Sequence, residues 1–228
     1  MPAWTSPDIT ERMPLNIASC NAALRRLPAW PVYMGSVGYA GWIFWLGVTD
    51  QLGAEPVKVV EHALGEAALY TLVAGLAITP LRRFLGINLL KFRRAIGLAC
   101  FFFVTAHLLT WAVLDVQRLS AVWADILKRP YITVGMAAFL LLIPLAVTSN
   151  NWSLRRMGPA WHRLHVLVYP AAFLGALHFA LLVKGFQLKP LAFLALVLVL
   201  LLLRLPGLKS GGAGLSPAKR RAATQKFR

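Results

Sequence analysis

The chain has 228 residues, of which 58% are hydrophobic, with a mean hydropathy of +0.64 and a formal net charge of +16. Such an apolar composition argues against a soluble domain and is typical of a protein that crosses a membrane several times. The basic residues flank apolar runs instead of forming one face. The charge therefore indicates membrane topology and argues against nucleic-acid binding.

The order of apolar and polar stretches predicts an all-α membrane protein. A polar, uncleaved lead covers residues 1–30, a transmembrane domain covers 31–205, and a basic tail covers 206–228. Six long, continuous apolar segments predict a bundle of six transmembrane helices joined by short loops. The segments run approximately over 32–48, 58–79, 95–114, 131–148, 161–183 and 188–205.

The distribution of lysine and arginine predicts the orientation of this bundle. With six spans, 18 of these residues fall on the side of both termini and 6 fall on the opposite side. Basic residues accumulate on the cytoplasmic side of a membrane, so both termini are predicted to be cytoplasmic.

The fifth segment contains His165 and His178. An imidazole in hydrocarbon needs a partner, so a histidine within a span is by default a candidate functional residue. At ~1.5 Å per residue the two histidines are about 20 Å apart, so one lies near each side of the membrane. Pro170 lies between them and can kink the helix. The alternative is that both histidines only hydrogen-bond neighbouring helices.

His107 in the third segment and His178 are predicted to lie at similar depth in the outer half of the membrane. His107 precedes Asp115 by eight residues, and His178 precedes Lys184 by six, which correspond to about 12 and about 9 Å. Two imidazoles facing each other in an apolar slot can ligate the iron of a b-type haem. A proton relay or another metal is the alternative. Aromatic residues could supply flat walls, namely Phe101, Phe102, Phe103, Trp111 and Phe179, and the alternative is that they only pack between helices, as aromatics in membrane helices usually do.

Other candidate residues are interpreted more simply. His62 is expected to be solvated or hydrogen-bonded near the outer interface, and His162 to be exposed at the cytoplasmic boundary. Cys20 and Cys100 lie far apart without C-x-x-C or C-x-x-C-H spacing, so they indicate neither a thiol redox pair nor attached haem. The chain also contains no nucleotide-binding motif, so an electron donor would have to be a membrane quinol or a separate reductase.

The order of several short motifs resembles the MsrQ (YedZ) family, the ferric-reductase-like haem-binding membrane subunits of periplasmic methionine sulfoxide reductase systems. The matching motifs lie in the second to fifth segments and the loops that join them. They are Gly53-Ala-Glu-Pro-Val-Lys58 with Glu61-His62, Ile78-Thr-Pro-Leu-Arg-Arg83, Arg93-Arg94 with Gly97-Leu98 and His107-Leu108, Arg129-Pro-Tyr131 with Gly135, Pro144-Leu-Ala-Val-Thr-Ser149, Trp161 with Leu164-His165 and Val168-Tyr169, and His178-Phe179 with Val183-Lys184.

The resemblance implies a multi-pass bacterial inner-membrane protein with a ferric-reductase-like six-helix bundle. It implies haem b and FMN as cofactors, although no motif here places FMN. It also implies that electrons pass from the quinone pool to MsrP, a periplasmic molybdopterin enzyme that reduces methionine sulfoxide in proteins. The chain would be an electron-transfer subunit and not the catalytic one. His107, His165 and His178 match the family's haem-associated histidines.

One departure from related proteins predicts a single haem. Ferric-reductase-like relatives with two stacked haems carry a second histidine 13 or 14 residues before the one matching His107, where this chain has Arg94 and Arg93. Arginine suits phosphate or carboxylate rather than iron. We therefore expect one haem toward the periplasm, and an anion-binding site near His165, Arg93 and Arg94 for a flavin phosphate, a haem propionate or a quinone head group. The alternatives are that His165 ligates a second iron, or that the two arginines are only topology signals.

Two other classes of function are compatible with the residues. One is a stand-alone cytochrome b or ferric reductase with another electron acceptor. The other is a transporter or membrane scaffold whose histidines serve protons or packing.

Overall fold

The computed structural model describes residues 17–182 and 187–204, which form helices and the segments that join them. The α-helices are α1 (Ile17–Arg26), α2 (Trp30–Val48), α3 (Pro56–Phe84), α4 (Arg93–Leu109), α5 (Leu119–Lys128), α6 (Pro130–Val147), α7 (Asn151–Met157), α8 (Pro159–Leu164), α9 (Val168–Leu182) and α10 (Leu188–Leu202). Short 3-10 turns cover Leu90–Phe92 and His165–Leu167, and a π-helical stretch, Thr110–Val116, continues α4.

Within the described residues, four continuous helical runs are long and apolar enough to cross a membrane. They are Pro56–Phe84, Leu90–Val116, Pro130–Val147 and Pro159–Leu182. The helix α2 has 19 residues, but tryptophan, tyrosine and glycine keep its mean hydropathy below the level that these four reach, so it is not among the candidate spans. The helix α10 is apolar but has 15 residues. The first and sixth predicted spans therefore stay predictions.

Two helix pairs form the centre of the bundle. The helix α3 packs most extensively on α4, and α6 packs on α9, whereas contacts between the two pairs are sparse. The helices α2 and α10 add to the outside, α2 against α4 and α3, and α10 against α9 and α3. The two central pairs thus leave a space between them, and His107 and His178 lie in that space.

Prolines shape two of the spanning runs. The helix α3 continues to Phe84, five residues beyond the predicted end, although Pro80 has no N–H for the Leu76 carbonyl. Arg204 supplies the missing donor, since its guanidinium bonds the Leu76 carbonyl at 2.7 Å and the Gly75 carbonyl at 3.2 Å. In the fifth span, the 3-10 turn His165–Leu167 lies just before Pro170, which is where a kink was expected.

Three short helices were not anticipated. The helix α1 lies within the predicted polar lead, α5 lies in the loop between the third and fourth spans, and α7 lies in the loop between the fourth and fifth spans. The rest of the lead, residues 1–16, and the predicted tail over 206–228 lie outside the described residues.

Candidate functional site: a cavity between two histidines

A cavity of about 750 Å³ lies between the two central helix pairs. Small residues one turn apart on three helices make this space, since larger side chains there would close it. They are Gly65 and Ala68 on α3, Gly135 and Ala138 on α6, and Ala171 and Gly175 on α9. The volume is in the range of a pocket for one organic ligand.

His107 on α4 and His178 on α9 enter this cavity from opposite helix pairs. Their ring centroids are 6.3 Å apart, with an interplanar angle of 70°. The structure thus brings together the two histidines that the sequence placed at equal depth.

Both imidazoles are anchored in the same way. The Nδ1 of His107 lies 2.9 Å from the carbonyl oxygen of Glu61 on α3, and the Nδ1 of His178 lies 2.7 Å from that of Tyr131 on α6. A carbonyl only accepts, so Nδ1 carries the hydrogen in each ring and Nε2 keeps a free lone pair. This is the tautomer that a metal-ligating imidazole needs.

A glycine allows each imidazole to approach its acceptor. Four residues after each acceptor stands a glycine, Gly65 on α3 and Gly135 on α6. A Cβ at Gly65 would lie 3.1 Å from the Nδ1 of His107, and one at Gly135 would lie 2.7 Å from the Nδ1 of His178. Gly135 lies in the family motif with Arg129-Pro-Tyr131, but nothing in the sequence alone indicates this role for either glycine.

The distance between the rings tests whether one metal could lie between them. A metal–imidazole bond is about 2.0 Å long, and a ring nitrogen is about 1.1 Å from its centroid, so two rings on one metal have centroids about 6.2 Å apart. The observed 6.3 Å agrees with this value. Together with the free Nε2 lone pairs and the mostly apolar cavity, this spacing fits a bis-imidazole haem.

Charged residues lie at the end of the cavity that is predicted to face the periplasm. The cations Lys58, Arg129 and Lys189 and the acids Glu61, Glu66 and Asp115 line this outer mouth. The hydrogen bond from Arg129 to the Tyr131 hydroxyl raises the pKa of Arg129, so the guanidinium stays charged. His62 is exposed and also lines the mouth, consistent with its predicted interfacial position.

The aromatic walls differ from the expectation. Trp111 and Phe179 line the cavity, but Phe101, Phe102 and Phe103 do not. One face of α4 is turned to the cavity, and the three phenylalanines occupy other faces of the helix. Phe103 is buried against Tyr39 of α2, and Phe101 stacks on Phe139 of α6. For Phe101–Phe103, simple helix packing is the correct interpretation.

The residues proposed for the inner site lie apart from the cavity. His165 stacks on Trp161 with ring centroids 3.6 Å apart, and its Nδ1 lies 3.0 Å from the Trp161 carbonyl oxygen. Its Nε2 is buried and has no hydrogen-bond partner among the described residues. Arg93 is near enough to interact electrostatically with His165, whereas Arg94 donates to Asn151 at 2.8 Å. His162 is exposed, as expected.

Sequence reasoning missed Arg204 as a neighbour of this inner region. Its guanidinium lies 5.5 Å from the centre of the ring of Tyr169, a residue one helical turn after His165. It is also near enough to Arg93 for the two positive charges to repel each other. Its Nε is buried without a hydrogen-bond partner in the described part of the chain. In the sequence Arg204 counts only as a topology signal, and the clue to its role is Pro80, the proline inside α3 whose missing N–H it replaces.

Comparison with known proteins identifies the class to which this fold and site belong. The family described as ferric reductase like transmembrane component matches residues 64–176, which include His107 and end two residues before His178. Proteins named protein-methionine-sulfoxide reductase heme-binding subunit MsrQ from Brucella ovis, Brucella canis and Brucella melitensis are each 46% identical over 200 residues. The aligned region covers 86% of this chain and 91% of each relative. The chain therefore belongs to the MsrQ family of ferric-reductase-like membrane proteins. No solved structure matches it significantly.

Proposed function

We propose that this protein is a haem b electron-transfer subunit of the bacterial inner membrane. Electrons would pass from a membrane quinol to a periplasmic molybdopterin reductase, MsrP, which would repair methionine sulfoxide in oxidised periplasmic proteins. The observation that carries the proposal is the pair His107 and His178, whose ring centroids lie 6.3 Å apart across an apolar cavity. The names of the Brucella relatives, which specify a heme-binding subunit of a methionine sulfoxide reductase, support it.

The chain's own residues have defined tasks in this proposal. His107 and His178 would hold the iron, and the carbonyls of Glu61 and Tyr131 fix their tautomer and ring orientation. When bound, haem b supplies one-electron redox chemistry. The surrounding helices exclude water, and the outer mouth brings the cavity to the predicted periplasmic surface, where a reductase could dock. The FMN implied by the family resemblance stays a prediction.

We further propose one haem per chain, with His165, Arg93 and Arg94 forming an anion-binding site at the inner end. The proximity of the Arg93 charge to His165 supports this site. The buried Nε2 of His165 is left as an acceptor, because Nδ1 donates to the Trp161 carbonyl, so it would accept a hydrogen bond from a protonated group of the ligand and would not bind the anionic oxygens themselves. Arg94, which donates to Asn151, would contribute mainly through its charge. The ligand could be a flavin phosphate, a haem propionate or a quinone head group.

Haem content tests the axial pair. His107→Ala and His178→Ala should each lose most of the bound haem, because a bis-imidazole site loses one of its two axial bonds. His165→Ala should keep one haem per chain, and His162→Ala serves as the matched control. The measurement is haem-to-protein stoichiometry with reduced-minus-oxidised spectra of the purified protein.

Three outcomes would contradict specific parts of the proposal. A wild-type protein without a b-type α-band would exclude the redox function. A His178 variant with an unchanged low-spin spectrum would show that the ligand pair is wrong. Two haems per chain, one of them lost in His165→Ala, would make His165 a ligand and exclude the single-haem proposal.

A further inference from the structure

The three cations at the outer mouth of the cavity, Lys58, Arg129 and Lys189, are each about half exposed. A haem b molecule is apolar except for its two propionate carboxylates. Carboxylates are costly to bury without cationic partners, so they should lie where such a cavity offers positive charge and water. The mouth offers water and three cations, interspersed with the acids Glu61, Glu66 and Asp115, whereas the small residues deeper in the cavity offer neither water nor charge. A propionate there must therefore be held by one particular cation and not by an overall positive charge.

The three cations differ in how many hydrogen-bond donors remain for a ligand and in how those donors are arranged. Lys58 bonds Glu55 at 2.9 Å, and Lys189 is paired with Glu66. All three cations, Arg129 included, are paired with a carboxylate, but a lysine ammonium is a compact charge, whereas a guanidinium is a planar fork that can bond two groups at once. Neither lysine is therefore the best candidate for holding another carboxylate.

Arg129 is positioned by two partners and, as far as residues 17–182 and 187–204 are concerned, retains donors without a partner. Its Nε lies 3.4 Å from an Asp125 carboxylate oxygen, and its Nη1 donates to the Tyr131 hydroxyl at 3.2 Å. A guanidinium has five N–H donors in a rigid fork, so these contacts orient the group while leaving donors on Nη2. That geometry suits a carboxylate.

Tyr131 connects this guanidinium to the proposed iron ligand. Its hydroxyl accepts from Arg129, and its backbone carbonyl accepts from the Nδ1 of His178 at 2.7 Å. Pro130 between them begins α6 and restricts the backbone at this point. The sequence Arg129-Pro130-Tyr131 thus sets both the orientation of His178 and the position of a cation at the mouth.

We propose that the Arg129 guanidinium holds a haem propionate at the outer mouth, so that the propionate edge of the haem faces the predicted periplasmic side. This inference rests on the proposed haem function, and it leaves a flavin phosphate or a quinone head group as the ligand of the inner anion-binding site, because both propionates lie on one edge of a haem. It makes Arg129 a positioning residue that decides which edge of the cofactor is presented to an electron acceptor.

The test uses apoprotein titrated with haem b and with haem b dimethyl ester, whose propionates are blocked. Arg129→Gln should weaken binding of haem b about fivefold and leave binding of the ester unchanged, because the ester has no carboxylate to lose. Arg129→Lys should recover part of the affinity for haem b. The midpoint potential of Arg129→Gln should fall, since a nearby cation favours the reduced haem, which carries one positive charge fewer.

Arg118→Gln is the matched control, because Arg118 is an exposed arginine on the same predicted side that does not line the cavity. It should bind both haems as the wild type does. Equal haem b affinity in wild type and Arg129→Gln would overturn the inference, as would an equal loss for haem b and its ester. A wild-type protein that binds neither haem would overturn the proposed function as well, which distinguishes the two failures.

Discussion

At the scale of single residues, Gly135 sets the position of the His178 ring. A Cβ at Gly135 would lie 2.7 Å from the Nδ1 of His178, a distance that forces the imidazole to move. We expect Gly135→Ala to displace His178 from the Tyr131 carbonyl and to reduce haem content and the low-spin signal. Gly65→Ala, with its Cβ at 3.1 Å from His107, should have a smaller effect of the same kind.

The control for this prediction is Gly97→Ala in α4, since a Cβ there meets no heavy atom within 4 Å. An alanine within a helix is more favourable than glycine by about 1 kcal/mol, so this variant should be at least as stable as wild type and keep its haem. If Gly135→Ala kept a wild-type haem spectrum, the close approach of glycine and imidazole would have no functional role.

The sequence predicts the histidine pair because depth in a membrane can be counted from charged residues along each helix. It does not predict the acceptors of the two rings. The carbonyls of Glu61 and Tyr131 belong to other helices, and their side chains carry no signal of this role. The contribution of Arg204 also depends on which helices become neighbours, and sequence patterns do not encode that directly.

At the scale of elements, Arg204 links the end of α10 to the middle of α3. It bonds the Leu76 carbonyl, which has no helical partner because Pro80 has no N–H. We expect Arg204→Leu to lower the free energy of unfolding by about 1 kcal/mol, as a buried carbonyl loses its donor. In a Pro80→Ala background, the substituted residue supplies a backbone N–H to that carbonyl, so Arg204→Leu should cost less.

The measurement for this pair is a double-mutant cycle on unfolding in detergent micelles, followed by circular dichroism. Identical costs of Arg204→Leu in both backgrounds would show that the proline and the arginine act independently.

Membrane segments are predictable from long apolar runs, but the residues at which they end are less predictable. The second span was expected to end at about residue 79, and the helix α3 continues five residues further, to Phe84.

At the scale of the whole molecule, charge is separated between the two ends of the bundle. The six described carboxylates all lie on the first three turns of α3 or on segments predicted to be periplasmic. They are Asp50, Glu55, Glu61, Glu66, Asp115 and Asp125. The segments between Phe84 and α4 and between α6 and α9 carry arginine and lysine without acidic residues. This asymmetry supports the predicted orientation, with the haem cavity opening toward the periplasm.

The location of the two termini decides whether α2 and α10 cross the membrane. In the predicted orientation, α3 runs inward from Pro56 and α9 runs outward to Leu182, so each terminus is cytoplasmic only if the helix next to it also spans. Arg25 and Arg26 precede α2 and Arg204 follows α10, which favours cytoplasmic ends for both.

We therefore expect a phosphatase fused after Arg228 to be inactive and a fluorescent protein there to be bright, with the same pattern for fusions at the N-terminus. A phosphatase fused in the loop between α2 and α3 should be active. Phosphatase activity at the C-terminus would mean that α10 does not span, and activity at the N-terminus would mean the same for α2.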